Sequence, residues 1–189
     1  MYIVFEGVDC LGKTTQIELL KNEFRDVIFT KEPGGTAVGL TLRELLLKNK
    51  LSKKTEMFLF LADRAQHYKE ILAPNLEKTI ISDRSFISGI AYAMGDFDLD
   101  FLLTLNKFAI NNLLPDRVVF FKGERELIEK RLASKNLDVI EKRGIEYFLQ
   151  IQSNIEKIVK KLEIPTLPID ASRTIDEINR DIRRFLCKQ

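Results

Sequence analysis

The clearest chemical signal near the start of the chain is Gly7-Val8-Asp9-Cys10-Leu11-Gly12-Lys13-Thr14, which matches G-x-x-x-x-G-K-[ST] at every fixed position. Gly7 and Gly12 can take backbone angles closed to other residues, so consecutive N–H groups can turn inward on a phosphate. A helix starting there adds its positive end. Lys13 is then placed to reach the outer phosphates, and the Thr14 hydroxyl to hold Mg²⁺. The same letters could form a plain strand–helix turn with an exposed lysine, so the flanks decide. Tyr2-Ile3-Val4-Phe5 reads as a buried parallel strand, and Ile17, Leu20 and Phe24 recur at helical spacing. Strand, glycine loop and helix is the order a phosphate site needs.

Other elements must position the rest. Residues 26–30, 79–82, 117–121 and 165–169 read as further short strands. Between them, 39–47, 55–77 (interrupted near Pro74), 86–93, 99–113, 124–133, 144–162 and 175–186 read as helices. This alternation predicts an α/β fold: three layers, α/β/α, with a central five-stranded parallel sheet of the P-loop NTPase type. Ligands in such sheets gather beyond the carboxyl ends of the strands. Here those ends carry residues 7–14, 32–36, 83–84 and 170–172, which points to one cleft.

Composition narrows the function classes. The 189 residues suggest a single domain over 1–189, with 45% apolar and 31% charged residues, ordinary for a globular chain. A formal net charge of +2, without a basic stripe interleaved with aromatics, gives no reason to expect a nucleic-acid partner. Cys10 and Cys187 cannot build a disulfide framework. No signal-type segment is seen at the start, and no apolar run nears the roughly 20 residues that span a bilayer. The expectation is no membrane and a cytoplasmic location.

A phosphate loop says that a nucleoside triphosphate binds, not what happens next. If a second phosphorylated molecule joins it, several negative charges crowd one site and the chain must supply cations. Lys13, Arg43, Arg84 and something from 131–143 are the candidates. Arginine suits phosphate because its planar fork donates two parallel hydrogen bonds.

At this point the residues resemble those of bacterial thymidylate kinases, P-loop nucleoside monophosphate kinases. The likeness rests on residues 5–9 and 12–16 around the loop, on Thr30-Lys31-Glu32-Pro33-Gly34-Gly35-Thr36, on Leu42-Arg43-Glu44-Leu45-Leu46-Leu47, on Ala62-Asp63-Arg64-Ala65-Gln66-His67, and on Asp83-Arg84-Ser85 with Ser88, Ala91 and Tyr92. The resemblance implies transfer of the γ-phosphoryl of ATP to dTMP, giving dTDP, in a homodimer. It implies ATP held by residues 7–15 (Gly7, Val8, Asp9, Cys10, Leu11, Gly12, Lys13, Thr14 and Thr15) with Arg131 against adenine. The acceptor would be held by Asp9, Glu32, Pro33, Arg43 on its phosphate, Phe60 stacked on thymine, Arg64 on a thymine carbonyl, Arg84, Ser88, and Tyr92 under the deoxyribose. Lys13, Arg84, Asp9 and Lys135 would form the catalytic set, with Mg²⁺ at Thr14, mostly through ATP and water. Blander roles compete: Phe60 and Tyr92 as core, Arg43 as a solvated helix arginine, Asp83-Arg84 as an ion pair, and His67 as structural.

The chain also departs from its relatives. Position 10, glycine or a phosphate-reaching arginine in many of them, is Cys10, which does neither job. The lid expected at about 133–143 has Val139 where they carry an arginine, so Lys135 is chosen as the cation that completes the charge count, with Lys142 and Arg143 in reserve. Gly89 offers no side chain to the base, which shifts selectivity onto Arg64 and water. A deoxynucleoside kinase or another nucleoside monophosphate kinase is the nearest alternative; the former would need a carboxylate base, for which Glu32 is the candidate. A regulatory switch is disfavoured because Asn106-Lys107-Phe108-Ala109 lacks the aspartate of the Asn-Lys-x-Asp base-reading motif. For the dimer, 99–113 or 55–72 could supply an apolar helix face, or either could be internal core.

Overall fold

The structure is a computed structural model that describes residues 1–133 and 139–187. Its strands are β1 (Tyr2–Glu6), β2 (Val27–Lys31), β3 (Thr79–Asp83), β4 (Arg117–Lys122) and β5 (Thr166–Asp170). They form one parallel sheet in the order β2-β3-β1-β4-β5. The central β1 is buried at every residue, with Ile3, Val4 and Phe5 fully out of solvent. Its neighbour β4 is buried from Val118 to Phe121. Strands covered on both faces need continuous apolar runs, which is why these segments read as buried strands rather than alternating ones.

Eight α-helices are described: α1 (Lys13–Glu23), α2 (Ala37–Lys48), α3 (Lys53–His67), α4 (Phe86–Ala93), α5 (Leu99–Ala109), α6 (Arg125–Leu132), α7 (Ile145–Lys161) and α8 (Ile175–Cys187). One set, α1 with α8, packs together; another, α3, α4, α5 and α7, packs among itself, with α2 against α3 and α6 against α7. Two sets of helices supply the cover that the central strands require, so the architecture is the expected three-layer, P-loop NTPase-like fold.

Caps fix where several helices begin. Thr36, Ser52, Ser85 and Asp98 each accept a hydrogen bond from an amide of the following turn, at 2.9 to 3.2 Å. Helix α1 differs: its N-cap is Gly12 with φ 96, and no side chain caps it. Its first-turn amides are therefore left for a ligand.

Two helices end earlier than their patterns suggest. Helix α3 stops at His67 and widens into a π-turn over Tyr68–Leu72 before a 3₁₀ turn at Ala73–Asn75. Pro74 has no N–H for a carbonyl four residues back, so the distortion starts a turn upstream of it. Helix α5 stops at Ala109, because Asn111 and Asn112 take left-handed angles, φ 46 and 60, that a helix cannot continue through. Among the described residues no helix is long and apolar enough to cross a membrane.

Candidate active site

The phosphate loop lies where β1 turns into α1. Gly7 has φ 140, and a Cβ there would sit 2.6 Å from the Phe121 carbonyl oxygen, so only glycine lets the loop lie against β4. The side chains of Val8 and Leu11 are buried in the core, and what those positions can offer a ligand is main chain. Cys10 has φ 66, the left-handed region, and is half-buried. The Lys13 ammonium donates to the carbonyls of Gly7 and Val8, both at 2.9 Å. Burial pushes its pKa down and Arg84 adds to this, against the pull of Asp9 and Asp83. Unliganded, the lysine is stored against its own loop.

Arg84 anchors the middle of the cleft. Its φ is 70, and its carbonyl accepts from Ser82 Oγ at 2.7 Å, which holds the turn after β3. Its guanidinium donates to Gly7 O (2.9 Å), Ser88 Oγ (3.0 Å) and Asp9 Oδ1 (2.8 Å). Burial opposes its charge, but Asp9 foremost, then Tyr92 and Asp83, hold the pKa raised. Ser88 and Ser85 in turn donate to the buried carboxylate of Glu6, whose pKa burial raises. The sequence allowed Asp83 and Arg84 to pair with each other; the ion pair is Arg84 with Asp9 instead. Asp83 turns to Thr14, whose hydroxyl donates to Oδ2 at 3.4 Å, and its Oδ1 is buried without a hydrogen-bond partner.

A second cluster builds an adjoining, more apolar pocket. Arg64 is 2% exposed. It donates through Nε to Glu32 Oε2 (2.9 Å), through Nη1 to Asn106 Oδ1, and through Nη2 to the Ser85 carbonyl (3.4 Å). Of its five N–H groups this leaves one on each η nitrogen for an acceptor in the pocket. A Cβ on Gly89 would come within 2.7 Å of Nη2, so the glycine makes room for the guanidinium. His67 is structural, as the blander reading had it: Nδ1 meets Glu32 Oε1 at 2.8 Å and Nε2 meets Thr30 Oγ1 at 2.7 Å. Burial pushes the Glu32 carboxyl up, but Arg64, then His67, outweigh it and hold it below the usual range. Half-buried Phe60 and Tyr92 line the same pocket, and Arg43 reaches it while donating to the Pro33 carbonyl at 3.0 Å.

The two pockets share Asp9, Glu32, Arg43 and Arg84, so three of the four predicted strand ends converge. The fourth, 170–172, lines a separate groove with Lys122 and Glu124. It is tied to the loop through Arg131, which donates to Cys10 O (3.0 Å) and Ala171 O (2.8 Å). Thr15 lines the phosphate cleft as expected, and Pro33 and Ser88 line the apolar pocket. Lys135 lies outside the described residues. Arg143, one of its reserves, is committed elsewhere, to Glu56 and to the Tyr147 hydroxyl at 2.7 Å, while Lys142 is exposed. Sequence reasoning missed Asn106 and Glu6, and it did not see Asp83 as separate from Arg84. Asn106 had a signal: a polar residue on the buried stripe of Leu102 and Leu103.

The thymidylate kinase family model matches residues 5–182. A thymidylate kinase of Campylobacter jejuni subsp. jejuni serotype O:6 is 53% identical over 192 residues, covering 98% of this chain and 100% of that one. One from Nautilia profundicola is 50% identical over 187 residues, with 98% and 96% covered. The crystal structure of thymidylate kinase from Ehrlichia chaffeensis superposes with a TM-score of 0.80 at 27% identity, over 100% of this chain and 98% of that one.

Proposed function

The chain belongs to the thymidylate kinase family, whose members phosphorylate dTMP to dTDP with ATP, and from that premise we propose how its cleft performs the transfer. The observation that carries the assignment is the pair of adjoining pockets meeting at Asp9, Glu32, Arg43 and Arg84. ATP lies on the loop side, its phosphates on the amides of residues 7–15 and its adenine against Arg131. The nucleoside of dTMP lies on the apolar side, with thymine on Phe60, a carbonyl on the spare N–H groups of Arg64, and deoxyribose over Tyr92. Both phosphates then meet at the shared residues, Arg43 holding that of dTMP and Arg84 the one in transit. In this proposal one domain over 1–189 carries the reaction; of the lid expected at about 133–143, residues 134–138 lie outside the described residues.

An oxygen of the dTMP phosphate attacks the γ-phosphorus as the bridging oxygen leaves with ADP. The acceptor is already an anion, so no side chain must take a proton. This also disfavours thymidine as acceptor. A hydroxyl would need a base, and both oxygens of Glu32 are held by Arg64 and His67. The Asp83 carboxylate, whose Oδ2 accepts from the Thr14 hydroxyl and whose Oδ1 has no hydrogen-bond partner, forms with that hydroxyl a set of hard oxygens suited to Mg²⁺. If Mg²⁺ were held by Asp83 and Thr14 together with ATP, it would supply neutralising charge to the phosphates.

The partner for the exposed apolar face is a second copy. Phe58 on α3 and Phe101 and Phe108 on α5 are 59%, 49% and 83% exposed, on helices that pack side by side. Cys10 and Cys187, neither of them in a disulfide, suit a cytoplasmic setting. Steady-state kinetics on Arg64→Ala test the assignment: the KM for dTMP should rise at least about tenfold while the KM for ATP stays, since a charged hydrogen bond is lost on one substrate alone. An unchanged dTMP KM would remove the base from this pocket.

A further inference from the structure

Four cations line the phosphate cleft: Lys13, Lys31, Arg43 and Arg84. Three spend donors on the protein itself. Lys13 is on the carbonyls of Gly7 and Val8, Arg43 on that of Pro33, and Arg84 on Asp9, Ser88 and the Gly7 carbonyl. Among the described residues, Lys31 is the one cation of this cleft whose ammonium makes no hydrogen bond or ion pair. Lys21 of α1, which lines the adjoining groove with Lys31, is paired with Glu18 at 2.6 Å.

The register fixes where Lys31 stands. It is the last residue of β2 and the Cα partner of Asp83, and the Glu32 amide continues the ladder to the Asp83 carbonyl at 3.0 Å. Registered neighbours in a parallel sheet share a face, with strands about 4.8 Å apart. Thr30, one residue earlier, points the opposite way, to His67. Lys31 therefore shares the face of Asp83 and Thr14, at the mouth of α1, where the γ-phosphate must lie if ATP occupies the loop. A flexible four-carbon stem with three donors can follow a group that moves.

We propose that Lys31 is a catalytic residue, its ammonium contacting the oxygens of the transferring phosphoryl group from the β2 side. The inference rests on the kinase reading of the cleft. In the step itself, the bond from the acceptor oxygen to the γ-phosphorus forms while the bond to the bridging oxygen breaks, and the electron pair leaves with ADP. No proton moves on or off Lys31, which acts by charge alone. The transferred group and the acceptor phosphate are both anionic, so a cation without a protein partner is the one available to offset charge that exists only as the two approach.

The test is steady-state turnover of dTMP by the full-length parent, Lys31→Met and Lys31→Arg, with thermal unfolding of each. Lys31 is exposed, so unfolding temperatures should agree. Loss of one preorganised charge should lower kcat about tenfold or more in Lys31→Met, with both KM values within about twofold of the parent, and Lys31→Arg should recover most of the loss. A Lys31→Met kcat matching the parent's would overturn the inference and leave the kinase reading intact. A raised dTMP KM at unchanged kcat would overturn it too, since Lys31 would then serve binding and not the transfer. A parent that does not phosphorylate dTMP would remove the reading on which it rests.

Discussion

In the proposed reading Arg64 selects the base, and the side chain is held in place from three sides. Glu32 takes Nε, Asn106 takes one η nitrogen, and the missing side chain of Gly89 leaves space for the other. Gly89→Ala should push the guanidinium aside and raise the KM for dTMP several-fold, with the KM for ATP unmoved. Asn106→Leu should do the same and also narrow the preference for dTMP over dCMP, because the donor geometry that reads a carbonyl is lost. Initial-rate kinetics with both acceptors check this, and an unaltered dTMP KM in both variants would make the clamp irrelevant. The placement of Phe60 and Arg64, one turn apart on one helix, could be read from spacing alone. Asn106 could not, because it meets Arg64 across 42 positions and from a different helix. The fate of Asp83 and Arg84 was hidden for another reason: the left-handed turn at Arg84, φ 70, sends adjacent side chains to different partners. The lone glycine at 89 reads as a missing base contact in sequence, and only the packed guanidinium shows what its absence of bulk is for.

Among the elements, the loop and the start of α1 form the clearest unit, since the spacing of Gly7, Gly12, Lys13 and Thr14 lies within one contiguous stretch, although the need for glycine at position 7 comes from the distant Phe121 carbonyl. Helix ends were less legible. The pattern over 99–113 continues past Ala109 in hydrophobicity, but Asn111 and Asn112 adopt left-handed angles that apolar periodicity does not report. Faces were ambiguous as well, because an apolar stripe looks alike whether it meets the core or a partner. The structure separates them on α5, where Leu102 and Leu103 are buried and Phe101 and Phe108 are exposed. Phe108, 83% exposed, should therefore be replaceable without loss of the fold. Phe108→Asp together with Phe58→Asp should shift the protein from dimer to monomer in light scattering coupled to size exclusion, with helix content retained. A parent that already runs as a monomer would contradict the docking of a second copy on α3 and α5.

For the molecule as a whole, two buried carboxylates set opposite acid dependences. Glu32 has its pKa lowered from 4.5: burial works against this, and Arg64, then His67, prevail. Its contribution is present above 4.5 and is lost as pH falls through the lower folded value. Glu6 has its pKa raised from 4.5 by burial, so its contribution is full below 4.5 and is lost as pH rises through the higher folded value. Denaturant unfolding across about pH 3 to about pH 7 should show Glu32→Gln flattening the acid limb and Glu6→Gln flattening the limb above it. Identical profiles for both variants and the parent would contradict this division. Which substrates meet in the cleft is read by a coupled assay of ADP release with ATP and Mg²⁺, comparing dTMP with thymidine, dUMP, dCMP, AMP and GMP. Fast release that depends on dTMP, and none with thymidine, is expected, because a phosphate is needed at Arg43 and both oxygens of Glu32, the carboxylate candidate for serving a hydroxyl, are already held by Arg64 and His67. Turnover of thymidine in preference to dTMP, or ADP release that ignores the acceptor, would contradict it.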